Sequence, residues 1–260
     1  MAAQPPSDEQ GWTHVPNRKG ASPKMINGVP PLAKDVSPET LWRGFQAKTH
    51  FWRASSCRRE ILSILEKHQP IDGWDIQNAI CIATNSFSRD NWQARRRSMM
   101  QLVAFVDICQ NIHLGHSGSL PMSAQEPNYT VVDQSFLEKL DISIMDARKQ
   151  CEGGKPGLGE AGEELRQTTF LFEPFMDLSG EAMDALFSKD PALYIGASLR
   201  RILGREHKAL DMSKTDPQIH PLTTVRRFAA SRISLYFPRY EEDPSIFEGL
   251  AIYWREPDEK

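Results

Sequence analysis

Apolar residues fall into short runs and helical stripes that alternate along most of the chain. Ser37-Pro38-Glu39 marks the first helix, because serine is suited to cap a helix and proline to occupy its first turn. A second helix is predicted from Cys57 to His68, and a long one from about Asn91 to His113. Five short apolar runs have the length of buried strands, namely Ala79–Ala83, Pro121–Ala124, Ile142–Met145, Thr168–Phe172 and Leu193–Gly196.

The alternation of these strands with helices predicts a parallel sheet. Val131 to Leu140 and Glu181 to Phe187 supply further helices between strands. Strand–helix–strand repeats require crossover connections, which place helices on the faces of one sheet. We therefore expect an α/β protein, a single Rossmann-like three-layer domain with a mostly parallel sheet and an N-terminal helical extension. Towards the C-terminus, the residues from Val225 to Ile233 fit a helix and Leu250 to Trp254 fit a last strand.

Two segments lack this periodicity. Met1 to Val36 is rich in Pro, Gly, Lys and Asn, which predicts a disordered leader. Residues 37–260 then form the domain, with a core at about 52–198 and an extension of helix and strand at 199–260. Cys151 to Gly162 contains five glycines and predicts a mobile loop.

Composition and charge narrow the class of protein. The 260 residues are 40% hydrophobic and include 16 Gly and 18 Pro, which excludes collagen, coiled coil and wholesale disorder. With 31 Lys and Arg against 34 Asp and Glu, the net charge is −3, which disfavours nucleic-acid binding. Arginine runs at 95–97, 200–201 and 226–227 fit a solvated helix face better than a phosphate track.

The chain carries no signal for a membrane or for secretion. No stretch approaches ~18 continuous apolar residues, and the N-terminus has no apolar segment of a secretory signal. The four cysteines lack the spacing of a metal site, so we expect free thiols in a reducing compartment. These features predict a cytoplasmic or nuclear protein.

The carboxyl ends of the predicted strands are where a Rossmann-like sheet binds ligands. The turn Thr84–Ser88 leads into the helix from Asn91, whose N–H groups and dipole favour an anion, and the hydroxyls of Ser86 and Ser88 are placed to assist. The turn contains no glycine, so neither the dinucleotide-binding pattern nor the Walker pattern is present. The alternative is that Ser88 or Asp90 only caps the helix.

Two acid–proline steps follow other strands. Glu126 stands where dinucleotide-binding folds place an acid on the ribose hydroxyls, although it follows the first turn by about forty residues rather than ~20. Glu173-Pro174 puts a second carboxylate on the same edge of the sheet, and such a pair suits acid–base chemistry if a ligand lies between them. The alternatives are a structural corner at Pro127 and two solvated loop acids.

No pattern points to a metal, a cofactor or a covalent nucleophile. The seven histidines are scattered, and only His113 and His116 lie close together, in a Gly/Ser loop that favours exposure. No serine lies in G-x-S-x-G, and no cysteine has an obvious His and Asn partner. We therefore predict no metal site and no cofactor.

The segments at the strand ends also resemble a known family. The run Ile80–Ser88 followed by Arg97–Phe105 is similar to a strand, turn and helix signature of the sensitivity-to-red-light-reduced (SRR-type) domain family. Ala83 and Asn85 stand where many members have glycine.

Three further motifs extend the resemblance over roughly 52–198. Gln125-Glu126-Pro127 with Asp133 resembles the second motif of the family, an acid–proline step followed by an aspartate. Phe170–Phe175, which contains Glu173, resembles the third motif, and Trp52–Cys57 resembles the leader helix of fungal members.

The resemblance implies a Rossmann-like core without an established catalytic activity. Members are implicated in light signalling and circadian regulation in plants, and in control of gene expression and haem synthesis elsewhere. Our first hypothesis is a non-catalytic regulatory protein that acts through protein partners, whose identity the sequence does not give. Aromatic residues near the C-terminus either supply a contact surface or pack on the sheet edge, namely Phe237, Tyr240, Phe247, Tyr253 and Trp254.

The alternative hypothesis is a small-molecule site in the Rossmann-like crevice, for a nucleotide or an S-adenosylmethionine-like ligand, with transferase activity as one outcome. Ser86 and Ser88 would lie near its anion, Gln101 would line the pocket and Glu126 would bind its hydroxyls. The residues of the two later motifs, Asp133 and Glu173, complete the candidate ligand-binding set.

Overall fold

A seven-stranded sheet forms the centre of the protein in the computed structural model, which describes residues 29–113, 118–149, 158–175, 178–204 and 222–255. Its strands are β1 Asn78–Ile82, β2 Met122–Gln125, β3 Ile142–Ile144, β4 Thr169–Glu173, β5 Leu193–Ala197, β6 Ile233–Tyr236 and β7 Leu250–Trp254. Their order is β3-β2-β1-β4-β5-β7-β6. The first five strands pair in parallel, and β7 pairs antiparallel with both β5 and β6. The predicted mostly parallel α/β fold is confirmed.

Helices cover both faces of this sheet. They are α1 Pro38–Ala54, α2 Ser56–Lys67, α3 Trp92–Ile112, α4 Val131–Glu138, α5 Ala161–Glu164, α6 Gly180–Ser188 and α7 Thr223–Ala230, and residues 199–204 are also helical. Alternate strand residues divide the core in two, as the side-chain period of two requires. Ala79 and Cys81 pack with α1 to α4, whereas Ile80 and Ile82 pack with α5, α6 and α7. The predicted three-layer arrangement is confirmed.

The N-terminal helical extension is tied to α3 by a buried carboxylate. Asp107 accepts hydrogen bonds from the Trp52 indole (3.0 Å) and from Nε and Nη2 of Arg58 (2.7 and 3.2 Å). Trp52 is fully buried, so its N–H has no access to water and needs this acceptor. Asp107 therefore joins α1, α2 and α3 into one layer.

Helix starts follow the sequence signals in one case and depart from them in another. The Ser37 hydroxyl accepts from the Thr40 backbone N–H at 3.2 Å and Pro38 begins α1, which confirms the predicted cap. Helix α3 is instead capped by Asn91, whose side chain accepts from the Ala94 N–H at 3.1 Å. The capping role considered for Ser88 or Asp90 is therefore wrong.

The predicted disordered leader, residues 1–36, needs a correction at its end. Residues 1–28 lie outside the described part of the chain, but residues 29–36 pack on the turn before α3. Ala33 donates to the Ser88 carbonyl at 2.9 Å, Asp90 donates to the Pro31 carbonyl at 2.7 Å, and Ala33 is buried. This short stretch is ordered because its backbone groups find partners in the turn.

The C-terminal extension also departs from the sequence pattern. Ile233 belongs to β6, not to the preceding helix, because it pairs with Trp254 of β7. The aromatic residues considered as a contact surface pack inside the protein instead, so that hypothesis is corrected; they are Phe237, Tyr240, Phe247, Tyr253 and Trp254. Of the predicted mobile loop, Cys151–Gly162, residues 151–157 lie outside the described part of the chain. Its last residues begin α5.

Two other properties of the described residues bear on the class of protein. None of the helices there combines the length and the apolar character that crossing a bilayer requires. Cys57, Cys81 and Cys109 are buried free thiols, and burial raises the pKa of each above its ordinary value, to about 12 for Cys57. These thiols are therefore protonated and unreactive at neutral pH.

Candidate functional site

The strand order has its switch point between β1 and β4. The chain starts at β1, moves outward through β2 and β3, and returns to β4 and β5 on the other side of β1. Helices on opposite faces diverge at such a point and leave a crevice beyond the carboxyl ends of the two strands, which is where doubly wound sheets bind ligands.

A cavity of about 380 Å³ lies at this switch point. Asn85 contributes from the turn after β1, Phe175 from the residues after β4, and Asp243 from the segment between β6 and β7. The other described lining residues come from the first turns of α3 and from that same segment, namely Asn91, Trp92, Gln93, Ala94, Arg96, Arg97 and Ser245. The volume falls within the ~300–1,000 Å³ of small-molecule sites.

The lining carries two arginines and one acid. The Arg97 guanidinium lies over the Phe175 ring, 5.4 Å from its centroid, which holds the cation at the cavity wall. Arg96 Nη2 lies 3.2 Å from Asp243 Oδ2. Burial lowers the pKa of Lys48 in α1, and the charge of Arg96 lowers it further, whereas the charge of Asp243 opposes the shift. The positive end of the α3 dipole adds to this field, so the cavity favours an anion.

The turn after β1 follows a backbone path that glycine adopts most readily. Ala83 has φ 55° and Asn85 has φ 62°, both in the left-handed region. The Asn85 N–H donates to Glu126 Oε2 at 3.0 Å, and the Asn128 N–H donates to Glu126 Oε1 at 3.0 Å. Glu126 is 9% exposed and thus ties the turn after β1 to the end of β2. Burial raises its pKa, and the two backbone donors oppose that shift.

Ser86, Ser88 and Asp133 form a second link between the same turns. The Ser86 hydroxyl donates to Asp133 Oδ2 at 2.6 Å, and the Phe87 N–H donates to Oδ1 at 3.1 Å. The Ser88 hydroxyl shares a 2.7 Å hydrogen bond with the Thr130 hydroxyl, which caps α4. All three predicted residues are buried in this network, so their side chains hold the turn rather than line the cavity.

Glu173 is the last residue of β4, two residues before the lining residue Phe175, and it is fully buried. The Tyr194 hydroxyl donates to Glu173 Oε2 at 3.1 Å, while Oε1 has no hydrogen-bond partner. Burial raises the pKa of Glu173 from 4.5 to about 8, and Tyr194 with the amides of Ala197 and Phe175 opposes the shift only in part. Gly196 leaves room for this pair, because a Cβ there would lie 2.5 Å from the Glu173 carbonyl oxygen.

Gln101 lies in the middle of α3 and is 1% exposed. Its Nε2 donates to the Ile246 carbonyl at 2.8 Å, and its Oε1 has no partner. Gln101 therefore fixes the segment that carries Asp243 and Ser245, and it acts on the cavity only through that segment.

The fold brings some of the predicted site residues together and keeps others apart. Ser86, Ser88 and Asp133 share one network, to which Glu126 is joined through Asn85. Glu173 and Gln101 bond elsewhere, and none of the six is among the described residues that line the cavity.

Sequence reasoning missed the lining residues Trp92, Arg96, Arg97, Phe175 and Asp243. The arginine run offered a signal, because it falls in the first turns of the helix that follows the first strand. Asp243 offered none, since only the folded chain brings the segment between β6 and β7 to that helix.

Within the described ranges, no group of three or more His, Cys, Asp and Glu side chains is arranged to hold a metal ion. The described lining of the cavity supplies guanidinium, amide, aromatic, hydroxyl and carboxylate groups, which can recognise a ligand.

Comparisons with known proteins give a match to one family model and distant structural similarity to two solved structures. No curated protein matches the sequence. A structural-genomics protein of Corynebacterium glutamicum is 10% identical, with a TM-score of 0.38 over 87% of this chain and 94% of that one. An O-methyltransferase from Bacillus cereus in complex with SAH is 15% identical, with a TM-score of 0.36 over 85% and 90%. Neither likeness bears on function. The family model of the SRR1 domain matches residues 61–254, about three quarters of the chain, and the protein therefore belongs to the SRR1 domain family.

Proposed function

We propose that this SRR1-domain protein is a regulatory protein that binds a small anionic molecule in the cavity between β1 and β4. One observation carries the proposal: Arg96 and Arg97 line a cavity at the switch point, beside the positive end of α3. Binding of the ligand, rather than a chemical reaction, is the event that the protein passes on to its partners. The test of this idea is whether removal of either arginine weakens binding.

The charges around the cavity support an anion over a neutral or cationic ligand. Two arginines and one acid line it, so the lining carries a net positive charge before Lys48 is counted. Arginine presents a planar fork that matches phosphate and carboxylate groups in a bidentate manner. A phosphate or carboxylate between Arg96 and Arg97 would also relieve the repulsion between these cations.

Aromatic surfaces at the same place support a ligand with a flat group. Trp92 is the first residue of α3 and is 62% exposed. Phe175, which follows β4, also lines the cavity. Stacking of a base on an aromatic ring contributes about 1–3 kcal/mol. A nucleotide or an S-adenosylmethionine-like molecule combines an anionic group with such a ring, and this is the ligand class that we propose.

Glu126 keeps a place in this proposal, although both of its oxygens accept backbone hydrogen bonds. It is not among the described lining residues, and its part in the proposal is to hold the turn that carries the lining residue Asn85. Ser86, Ser88, Asp133 and Glu173 then support the crevice from behind.

The partner surface and the cellular setting are parts of the same proposal. We place the contact with protein partners at the rim of the cavity, where Trp92 is exposed and where a ligand would change the surface. Free buried thiols at Cys57, Cys81 and Cys109 support a cytoplasmic or nuclear location. The likeness of Trp52–Cys57 to the leader helix of fungal members supports a place among them.

Calorimetric titration with nucleoside phosphates, S-adenosylmethionine and S-adenosylhomocysteine tests the proposal. We expect at least one to bind, and we expect Arg96→Gln and Arg97→Gln each to weaken it about tenfold, because each removes a charge-assisted hydrogen bond. Arg95→Gln is the matched control, since Arg95 belongs to the same run but is absent from the lining. Binding that is unchanged in both lining variants, or no binding with the whole panel, would overturn the proposal.

A further inference from the structure

We infer that Asp243 is an internal competitor for the ligand anion, which holds Arg96 until a ligand takes its place. This inference rests on the proposed function and names the residue that sets how strongly the cavity attracts negative charge.

The Asp243 carboxylate lies where a counter-ion of Arg96 would lie in the cavity. Asp243 Oδ2 lies 3.2 Å from Arg96 Nη2, and both residues line the cavity. The other oxygen, Oδ1, accepts from the Ser245 hydroxyl at 2.7 Å and from the Ser245 N–H at 3.3 Å. One oxygen is therefore held by its own turn while the other occupies the arginine that a ligand would need.

The pair can open at small cost. The Arg96 side chain is 47% exposed and that of Asp243 is 21% exposed, and ion pairs in such surroundings contribute little to stability. Hydrogen bonds from Ser245 and the charge of Arg96 keep the pKa of Asp243 below its ordinary value. Asp243 is therefore ionised at neutral pH and competes as a full charge.

The segment that carries Asp243 is anchored by buried residues on both sides, Tyr240 before it and Ile246 after it, and is partly exposed between them. Ile246 and Phe247 are buried, and the Ile246 carbonyl accepts from Gln101. Glu241 and Glu242 precede Asp243 and are exposed. Because Asp243 lies between these anchors and is itself partly exposed, rotation of its side chain takes the carboxylate away from Arg96 without disturbing the core.

Removal of the Asp243 charge should therefore strengthen anion binding in a way that depends on Arg96. The experiment titrates sodium pyrophosphate into the full chain at an ionic strength of about 0.15 M, where the Debye length is about 8 Å. It compares the wild type, Asp243→Asn, Arg96→Gln and the double variant. We expect about tenfold tighter binding in Asp243→Asn, and no such gain when Arg96→Gln is also present. Thermal unfolding of each variant confirms that it is folded.

Glu242→Gln is the matched control, because it removes the same charge from the neighbouring residue, which does not line the cavity. We expect it to change affinity by less than about twofold, since exposed charges away from a contact are screened. If wild type binds and Asp243→Asn binds equally or more weakly, the inference is overturned while the proposed function stands. A gain as large in Glu242→Gln also overturns it. If pyrophosphate binds to none of the variants, the inference fails, and the titrations with nucleoside phosphates and S-adenosylmethionine decide the proposed function separately.

Discussion

Glu126-Pro127 follows β2 and Glu173-Pro174 follows β4, so the same dipeptide lies on each side of β1. Gln125 pairs with Ile82, and Phe172 pairs with Cys81, which brings both acids level with the end of β1. Each oxygen of Glu126 accepts a backbone N–H, whereas one oxygen of Glu173 has no partner.

The comparison separates the effect of burial from the effect of hydrogen bonding. Burial raises the pKa of both acids, but at Glu126 two backbone donors stabilise the charged form. At Glu173 the burial is complete and one oxygen has no partner, so its pKa reaches about 8. Glu126 therefore holds a turn by accepting two backbone N–H groups, whereas Glu173 is a neutral acid at pH 7.

The largest effect is expected from Glu173→Gln. The unfolded chain releases this proton near pH 4.5, whereas the native state keeps it to about pH 8, so the wild type loses stability as the pH rises between these values. Glutamine removes that loss. Relative to the wild type, the variant should gain on the order of 3 kcal/mol in the free energy of unfolding between pH 5 and pH 8.5. Urea unfolding at several pH values measures this difference.

Glu66→Gln on the exposed face of α2 serves as the reference for this experiment. It should follow the wild-type pH dependence within about 0.5 kcal/mol. A Glu173→Gln variant that runs parallel to the wild type from pH 5 to pH 8.5 would mean that Glu173 is ionised in the native state.

The opposite result is expected from Glu126→Gln. An amide has one oxygen, so its NH₂ group must face one of the two N–H donors, from Asn85 or from Asn128. The variant should lose about 2 kcal/mol at pH 7, because a buried N–H is left without an acceptor. Chemical denaturation at pH 7 gives the value, with Glu138→Gln on α4 as an exposed control. Equal stability of the two variants would show that the turn does not depend on the carboxylate.

The contrast between the two acids also explains what the sequence could predict. The apolar runs specified the strands, since a buried strand needs a continuous apolar segment whatever its neighbours are. They placed Glu126 and Glu173 at one sheet edge, but they carried no information on the donors from Asn85 and Asn128. Hydrogen-bond partners that come from other turns are properties of the folded chain.

The same reason accounts for the missed strand and the missed cavity. Ile233 follows a helix with apolar spacing that continues the helical pattern, and only its pairing with Trp254 makes it part of a strand. The cavity joins the ends of β1 and β4, the start of α3 and the segment before β7. Asp243 lies far along the chain from Arg96, so no local pattern could bring the two together.

The smallest effect concerns the turn that runs between the two acids. Ala83 has φ 55°, where a non-glycine residue is strained by about 1–2 kcal/mol. Glycine removes that strain but loses about 0.5–1 kcal/mol more backbone entropy on folding. Ala83→Gly should therefore raise the free energy of unfolding by about 0.5–1 kcal/mol, and thermal or chemical unfolding measures the change.

Ala124→Gly provides the matched comparison, because Ala124 lies in β2 and its φ is not among the positive values. That variant should be destabilised by about 1 kcal/mol, since glycine in a strand costs entropy and relieves no strain. If Ala83→Gly is destabilised as much as Ala124→Gly, the left-handed conformation at Ala83 carries no strain.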